Sequence, residues 1–110
     1  MIYHFCPRAD WEAAGEVYAA PSLARQGFVH CSPRDHVHVP ATALAAGRTD
    51  LVVLEIDESR LSAPAVWEEG DPPHPDGRLF PHVYGPIPVS AVVSVVDLPP
   101  RLDGTFAPLP

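Results

Sequence analysis

The most informative absence in this sequence of 110 residues is lysine: all seven basic residues are arginine, scattered along the chain, against fourteen acidic residues. The formal net charge is therefore −7 with histidine neutral. Proteins that bind nucleic acids or anionic membranes broadly use clustered Lys and Arg, so the composition argues against both kinds of partner. A local anion pocket stays open as an alternative, because one or two arginines and backbone N–H groups suffice to hold an anion.

Targeting, membrane and metal signatures are also absent. No apolar run approaches the ~18 residues of a membrane span, and Arg8, Asp10 and Glu12 interrupt any secretory hydrophobic stretch near the start. The two cysteines, Cys6 and Cys31, form no C-x-x-C pattern, and no H-E-x-x-H occurs. We therefore expect a cytoplasmic protein with reduced thiols, no membrane partner and no bound metal.

The length and composition suit one small globular domain. A chain of 110 residues buries roughly two-thirds of its unfolded surface, enough for one core. Fifteen prolines are many, and several of them cluster in residues 72–75 and 99–110, which is typical of loops. We expect one compact domain over residues 1–98, followed by a loosely ordered, proline-rich tail over residues 99–110.

Short apolar and aromatic runs predict strands at residues 2–6, 28–31, 65–68 and 91–96. The most apolar run, residues 51–57, should be a central strand covered on both faces. Helices are expected over residues 8–14 and 33–46, where Ser32 would cap the first turn and Pro40 would kink or restart the helix. Strands outnumber helices without a regular βαβ alternation, which predicts an α+β fold with mainly antiparallel sheets and two or three short helices.

Three of the six histidines lie inside strand-like segments with aromatic neighbours, and these are His4, His30 and His82. Side chains alternate across a strand, so each histidine shares a face with the residues two positions away. The three sets are Ile2, His4 and Cys6; Phe28, His30 and Ser32; and Phe80, His82 and Tyr84. If the segments lie close together, their imidazoles converge on one cleft, where they can exchange protons near neutral pH.

The neighbouring candidates have structural interpretations beside functional ones. A half-buried histidine bonded to a backbone carbonyl is common, and buried inert thiols explain both cysteines better than nucleophiles do. Ser32 can cap a helix as well as bind a ligand. Trp67 and Glu68 could supply a stacking wall and a base, although packing suits Trp67 better. Gly85, between Tyr84 and a proline, predicts a tight turn beside His82.

Several segments taken in order resemble the domain-of-unknown-function 952 family of small bacterial proteins. They are Ile2-Tyr3-His4, residues 27–32, residues 54–57, Trp67-Glu68 and residues 79–87, and the likeness spans residues 2–98. The resemblance implies a fold similar to the ADP-ribosyltransferase-like split sandwich, whose two small antiparallel sheets form a cleft for NAD. A closer likeness is to the catalytic half of RNA 2′-phosphotransferases, and it implies that His4 faces the ribose and pyrophosphate of NAD and that His30 and Ser32 line the same cleft.

The sequence and the resemblance together define the candidate site and three hypotheses. The catalytic candidates are His4, His30 and His82, and the ligand-binding candidates are Tyr3, Ser32, Trp67, Tyr84 and Gly85. The first hypothesis is an enzyme that binds NAD or another nucleotide-like small molecule and performs ADP-ribosyl-transfer-like chemistry. The second is a non-catalytic binding module, because no catalytic Glu can be placed and Phe5-Cys6 stands where those enzymes carry Gly-Thr. The third is an interaction or housekeeping domain with purely structural histidines.

Overall fold

The computed structural model describes residues 1–70 and 72–110, which form short strands and three helices. The strands are β1 (Ile2–Pro7), β2 (Val17–Tyr18), β3 (Val29–His30), β4 (Leu51–Ile56), β5 (Ala65–Glu69), β6 (Leu79–Val83), β7 (Ile87–Pro88) and β8 (Val92–Asp97). The helices are α1 (Arg8–Glu12), α2 (Pro21–Gln26) and α3 (His38–Ala45), and 3₁₀ turns occupy Glu58–Arg60 and Val89–Ala91. None of the helices in the described ranges is long and apolar enough to cross a lipid bilayer.

The strands form three antiparallel sheets. The first sheet has the order β1-β4-β8, the second has the order β3-β6-β5, and β2 pairs with β7 in a small third sheet. This arrangement confirms the predicted mixture of short helices with antiparallel sheets.

The central strand β4 lies between β1 and β8, as its apolar sequence predicts. Val52, Leu54 and Ile56 belong to the main core, whereas Leu51 and Val53 belong to a second buried cluster on the other side of the sheet. Alternate residues of one strand therefore serve two cores, which explains why the strand is almost continuously apolar.

The main core lies between the first and second sheets. Ile2 and Cys6 of β1 meet Val29 of β3 and Val83 of β6 there, and all four are buried. Because side chains alternate along a strand, the neighbour of Val29 in β3 and the neighbour of Val83 in β6 face outward. The outward face of the second sheet therefore receives His30 and His82.

The helices differ from the prediction at the start of α3 and in the presence of α2. Ser32 does not cap a helix; it forms an isolated bridge with Tyr3, and α3 begins only at His38. Pro40 is then the third residue of α3, where a helix has no intrahelical acceptor for the N–H, so the proline costs no hydrogen bond. Residues 18–26 lie outside both expected helices, yet they contain α2 with Pro21 at its first position.

The proline-rich segment after residue 98 packs onto the domain, so the prediction of a loose tail was wrong. Phe106 is 1% exposed, and its backbone N–H donates to Thr42 Oγ1 at 3.0 Å. The carbonyl of Gly104, a residue at φ +87°, accepts from Gly47 N at 2.9 Å. Phe106 and the partly buried Leu109 complete the second cluster. Proline limits regular backbone hydrogen bonding, but it does not prevent apolar side chains from packing.

Candidate functional site

Four rings meet on the outer face of the second sheet: Phe28, His30, His82 and Tyr84. The pairing of β3 with β6 places His30 directly opposite His82, with ring centroids 5.4 Å apart. Phe28 stacks on His82 at 4.2 Å between centroids and an interplanar angle of 19°. The Phe28 centroid also lies 4.7 Å from His30 and 5.3 Å from Tyr84. We call these four rings, together with Glu68, the imidazole face.

The carboxylate of Glu68 connects two members of this face. Its Oε1 lies 2.7 Å from His82 Nδ1, and the Tyr84 hydroxyl donates to the same oxygen. The bonds from Tyr84 and, second, from His82 lower the pKa of the Glu68 carboxyl, while the bond to Glu68 raises the pKa of Tyr84. Because a carboxylate only accepts hydrogen bonds, Nδ1 of His82 is the donor in this contact.

Strand pairing explains why Glu68 reaches His82. Glu68 of β5 lies opposite Phe80 of β6, and Val66 lies opposite His82, so Glu68 and His82 are diagonal neighbours on one face. Diagonal neighbours are within reach of long side chains. The sequence identified Glu68 only as a possible base beside Trp67, because its partner could not be known before β5 was paired with β6.

The turn after β6 holds Tyr84 beside Glu68. A Cβ atom at Gly85 would lie 2.6 Å from the Cβ of Ala63, so only glycine fits this close approach. Tyr84 N donates to the Pro64 carbonyl at 3.2 Å. Gly85, a predicted ligand-binding residue, thus acts in the structure by fixing the backbone that carries the Tyr84 ring.

His30 is the exposed histidine of the imidazole face. Its Nε2 lies 2.7 Å from Oε1 of Gln26, the last residue of α2. Gly27 follows at φ +88°, a left-handed conformation that favours glycine and ends the helix. The chain then turns directly into Phe28 and β3, which brings the end of α2 against the rings.

His4 does not join the imidazole face, contrary to the prediction. It is 9% exposed and lies between the sheets, with Nδ1 2.6 Å from the His30 carbonyl and Nε2 3.0 Å from the Tyr18 hydroxyl. Desolvation lowers the pKa of His4 from 6.5 to about 4, although the bond to the His30 carbonyl opposes the shift. Alternation correctly predicted which residues share a face of β1, but that face points into the core.

Ser32 and Tyr3 pair through their backbones rather than around a ligand. Tyr3 N donates to Ser32 O at 2.8 Å, and Ser32 N donates to Tyr3 O at 2.7 Å. The Tyr3 hydroxyl donates to Glu55 Oε2 at 2.7 Å, on the face of the first sheet turned away from the second sheet. Tyr3 therefore belongs to a different part of the molecule from the imidazole face, and Ser32 is buried beside it.

Trp67 lies on the opposite face of β5 from Glu68. It pairs with Pro81, one position before His82, so its side chain points away from the imidazole face. Trp67 is 42% exposed, and its Nε1 donates to Glu58 Oε2 at 3.3 Å. The ring that stacks on His82 is that of Phe28, and Trp67 does not reach it.

A second group of rings continues along β6. The Phe80 centroid lies 4.8 Å from that of His36 and 6.1 Å from that of His74, and the two imidazoles are 5.5 Å apart. His38, on α3, has a buried Nδ1 without a hydrogen-bond partner. Within residues 1–70 and 72–110, no group of three or more His, Cys, Asp or Glu is placed to hold a metal ion.

Both cysteines are buried and carry free thiols. Burial raises the pKa of Cys6 to about 11, despite a hydrogen bond with Tyr18 that opposes the shift, and burial also raises the pKa of Cys31. Neither thiol therefore forms a thiolate near neutral pH, which matches the interpretation of both as inert core residues.

Comparison with known proteins places this geometry in a family. The family model described as protein of unknown function DUF952 matches residues 5–95. A crystal structure of protein CC0527 from Caulobacter crescentus is 32% identical, with coverage of 96% of this chain and 92% of that one and a TM-score of 0.82. A solution NMR structure of CC0527 is 30% identical, with coverage of 94% and 89% and a TM-score of 0.70. No significant match was found among curated proteins. The chain therefore belongs to the DUF952 family.

Proposed function

We propose that the imidazole face binds NAD or another nucleotide-like ligand. The observation that carries the proposal is the convergence of four rings from separate segments around one carboxylate. His30 and Tyr84 are exposed and Phe28 is half-buried, so a flat heterocycle can stack against them, while His82 lies beneath. Stacking of a base on an aromatic side chain is worth roughly 1–3 kcal/mol, which suits a ligand of modest affinity.

Glu68 is the residue that could give this face catalytic chemistry. Its lowered pKa keeps the carboxylate ionised at neutral pH, and an anion beside a ribose stabilises an oxocarbenium-like centre. In ADP-ribosyl transfer the bond from ribose C1′ to the nicotinamide nitrogen breaks, and its electron pair leaves with nicotinamide. The acceptor forms the new bond to C1′ and loses its proton to solvent at this exposed face. Two facing antiparallel sheets support the likeness to the ADP-ribosyltransferase-like fold.

A non-catalytic binding module is the second candidate. The exposure of His30 and Tyr84 favours it, and two cavities of the described chain, of about 390 and 410 Å³, are lined by other residues. An enzyme that transfers a reactive intermediate usually excludes water from the site. In the module, the bonds from Tyr84 and His82 to Glu68 would serve only to hold the rings in place.

Isothermal titration calorimetry with NAD, ADP-ribose and AMP tests the proposal, with chromatographic detection of released nicotinamide as a second readout. We expect millimolar or tighter binding that Phe28→Ala weakens about tenfold, whereas Glu69→Gln, the matched neighbour of Glu68, binds as wild type. Nicotinamide release lost in Glu68→Gln would identify the enzyme, and binding without release would identify the module. Absence of binding by all three ligands would contradict both candidates.

A further inference from the structure

A second site lies on the first sheet, on the side away from the imidazole face. A cavity of about 410 Å³ is bordered there by Tyr3, Glu55 and Val53 of β1 and β4, Val96 of β8, Arg34, and Leu109 of the terminal segment. Tyr3 pairs with Glu55 and Val53 with Val96 across the strands, so these four side chains share one face. The volume falls within the range of roughly 300–1,000 Å³ typical of small-molecule sites.

The cavity contains one cation and one carboxylate side by side. Arg34 donates through its first terminal nitrogen to the Tyr3 hydroxyl at 3.2 Å, and the same nitrogen lies 3.7 Å from Glu55 Oε2. That separation is longer than a hydrogen bond, so the guanidinium and the carboxylate lie side by side without a direct hydrogen bond between them. Asp97, which also borders the cavity, is bonded to Arg8, which leaves Glu55 as the carboxylate that faces Arg34.

The remaining contacts of Arg34 show which group its N–H donors bind. Its Nε and second terminal nitrogen both donate to the carbonyl of Pro110, at the mouth of the cavity. Leu109 packs beside this contact at the edge of the second cluster. The chain therefore already places an oxygen acceptor, the Pro110 carbonyl, on the guanidinium of Arg34, and an apolar side chain, Leu109, beside it.

We propose that this cavity binds a zwitterionic α-amino acid with an apolar side chain. The ligand carboxylate would replace the Pro110 carbonyl on Arg34, its ammonium group would lie on Glu55, and its side chain would pack against Val96 and Leu109. In an α-amino acid the ammonium nitrogen and the carboxylate carbon are only about 2.5 Å apart, which matches a cation and an anion that lie next to each other. Each charged bond of this kind contributes more than a neutral one.

NMR titration of the full chain with L-leucine tests the proposal, with N-acetyl-L-leucine and L-leucinamide as matched probes that each lack one charge. We expect L-leucine to shift the amide signals of Glu55 and Val96 with a millimolar dissociation constant. Blocking either charge should weaken binding about tenfold. No shift with tens-of-millimolar L-leucine, or equal binding of all three compounds, would overturn the proposal.

Two variants make the result specific to the cavity. Glu55→Gln keeps the shape of the side chain and should weaken L-leucine binding about tenfold, whereas Glu58→Gln, which does not border the cavity and is bonded to Trp67, should bind as wild type. Val96→Phe changes an exposed residue and should block the cavity if Glu55→Gln fails to fold. L-leucine binding that survives in folded Val96→Phe would contradict the assignment.

Discussion

The space between the two sheets and the outer face of the second sheet use histidine in opposite ways. His4 lies in the interior with both ring nitrogens bonded to groups of the protein, and burial lowers its pKa to about 4. His82 and His30 lie one layer further out, against each other, and His82 has a carboxylate partner. A neutral histidine that joins strands is structural, whereas imidazoles beside a carboxylate and exposed rings can meet a ligand.

The two regions are nevertheless connected through one peptide. The carbonyl that accepts from His4 Nδ1 belongs to His30, so the buried ring holds the backbone of a residue on the imidazole face. His4 therefore positions β3 from behind, and its loss should be felt first as a loss of stability.

The largest expected effect is a difference in stability loss between substitution of the buried His4 and of the exposed His30. His4→Ala should lower the free energy of unfolding by about 3 kcal/mol, because it leaves a cavity and two unpaired buried groups. His30→Ala, at an exposed position, should cost less than about 1 kcal/mol. Urea unfolding of both variants measures the difference. Equal losses, or a larger loss for His30→Ala, would show that the contrast between the regions is wrong.

The pH dependence of stability should report His4 specifically. Its pKa is lowered from 6.5 to about 4 in the folded state, so the unfolded chain binds the proton more tightly. The contribution of the neutral ring is complete above pH 6.5 and is lost as the pH falls towards 4, by about 3 kcal/mol in total.

Urea unfolding from pH 7 to pH 4 measures this loss when wild type is compared with His4→Gln, which cannot titrate. The difference in unfolding free energy between the two proteins should shrink as the pH falls, because only wild type loses the contribution of a neutral His4. Carboxylates such as Asp35 and Asp57 titrate in both proteins, so their effects cancel in the comparison. A constant difference across the range would contradict a buried, neutral His4.

A smaller effect tests how the turn after β6 supports the imidazole face. Gly85→Ala should destabilise the protein by about 2 kcal/mol, because the new methyl group would collide with the Cβ of Ala63. Ala63→Gly in the same chain should restore most of that loss, and thermal unfolding of the single and double variants would show it. Failure of the second substitution to rescue the first would mean that Gly85 serves another purpose.

The smallest effect concerns the carboxylate itself. Tyr84→Phe removes the largest of the two bonds that lower the pKa of Glu68, so that pKa should rise towards its ordinary value of 4.5. Carboxyl ¹³C NMR titration measures the change, and Glu69 on the other face of β5 serves as the internal control. An unchanged pKa of Glu68 in the variant would show that Tyr84 does not form the bond to Glu68 that places it in the imidazole face.

The sequence predicted which side chains share a face of a strand better than it predicted which of those faces point into the core. The alternation of Phe28 with His30 and of His82 with Tyr84 correctly assigned shared faces, and the apolar run at residues 51–57 correctly predicted a central strand. Which face of β1 points inward depends on how the sheets pack, so His4 was misplaced. The partnership of Glu68 with His82 depends on strand pairing between residues 14 positions apart, which a local pattern does not reveal.

Histidine-selective ¹H–¹⁵N NMR during titration with ADP-ribose tests the central claim most directly, because each imidazole reports separately. The rings of His30 and His82 should shift with one dissociation constant, and His82 should keep its proton on Nδ1. The ring of His4 should stay neutral and unshifted behind them. Shifts confined to His4, or no shift at His30 and His82 at millimolar ligand, would contradict a functional imidazole face.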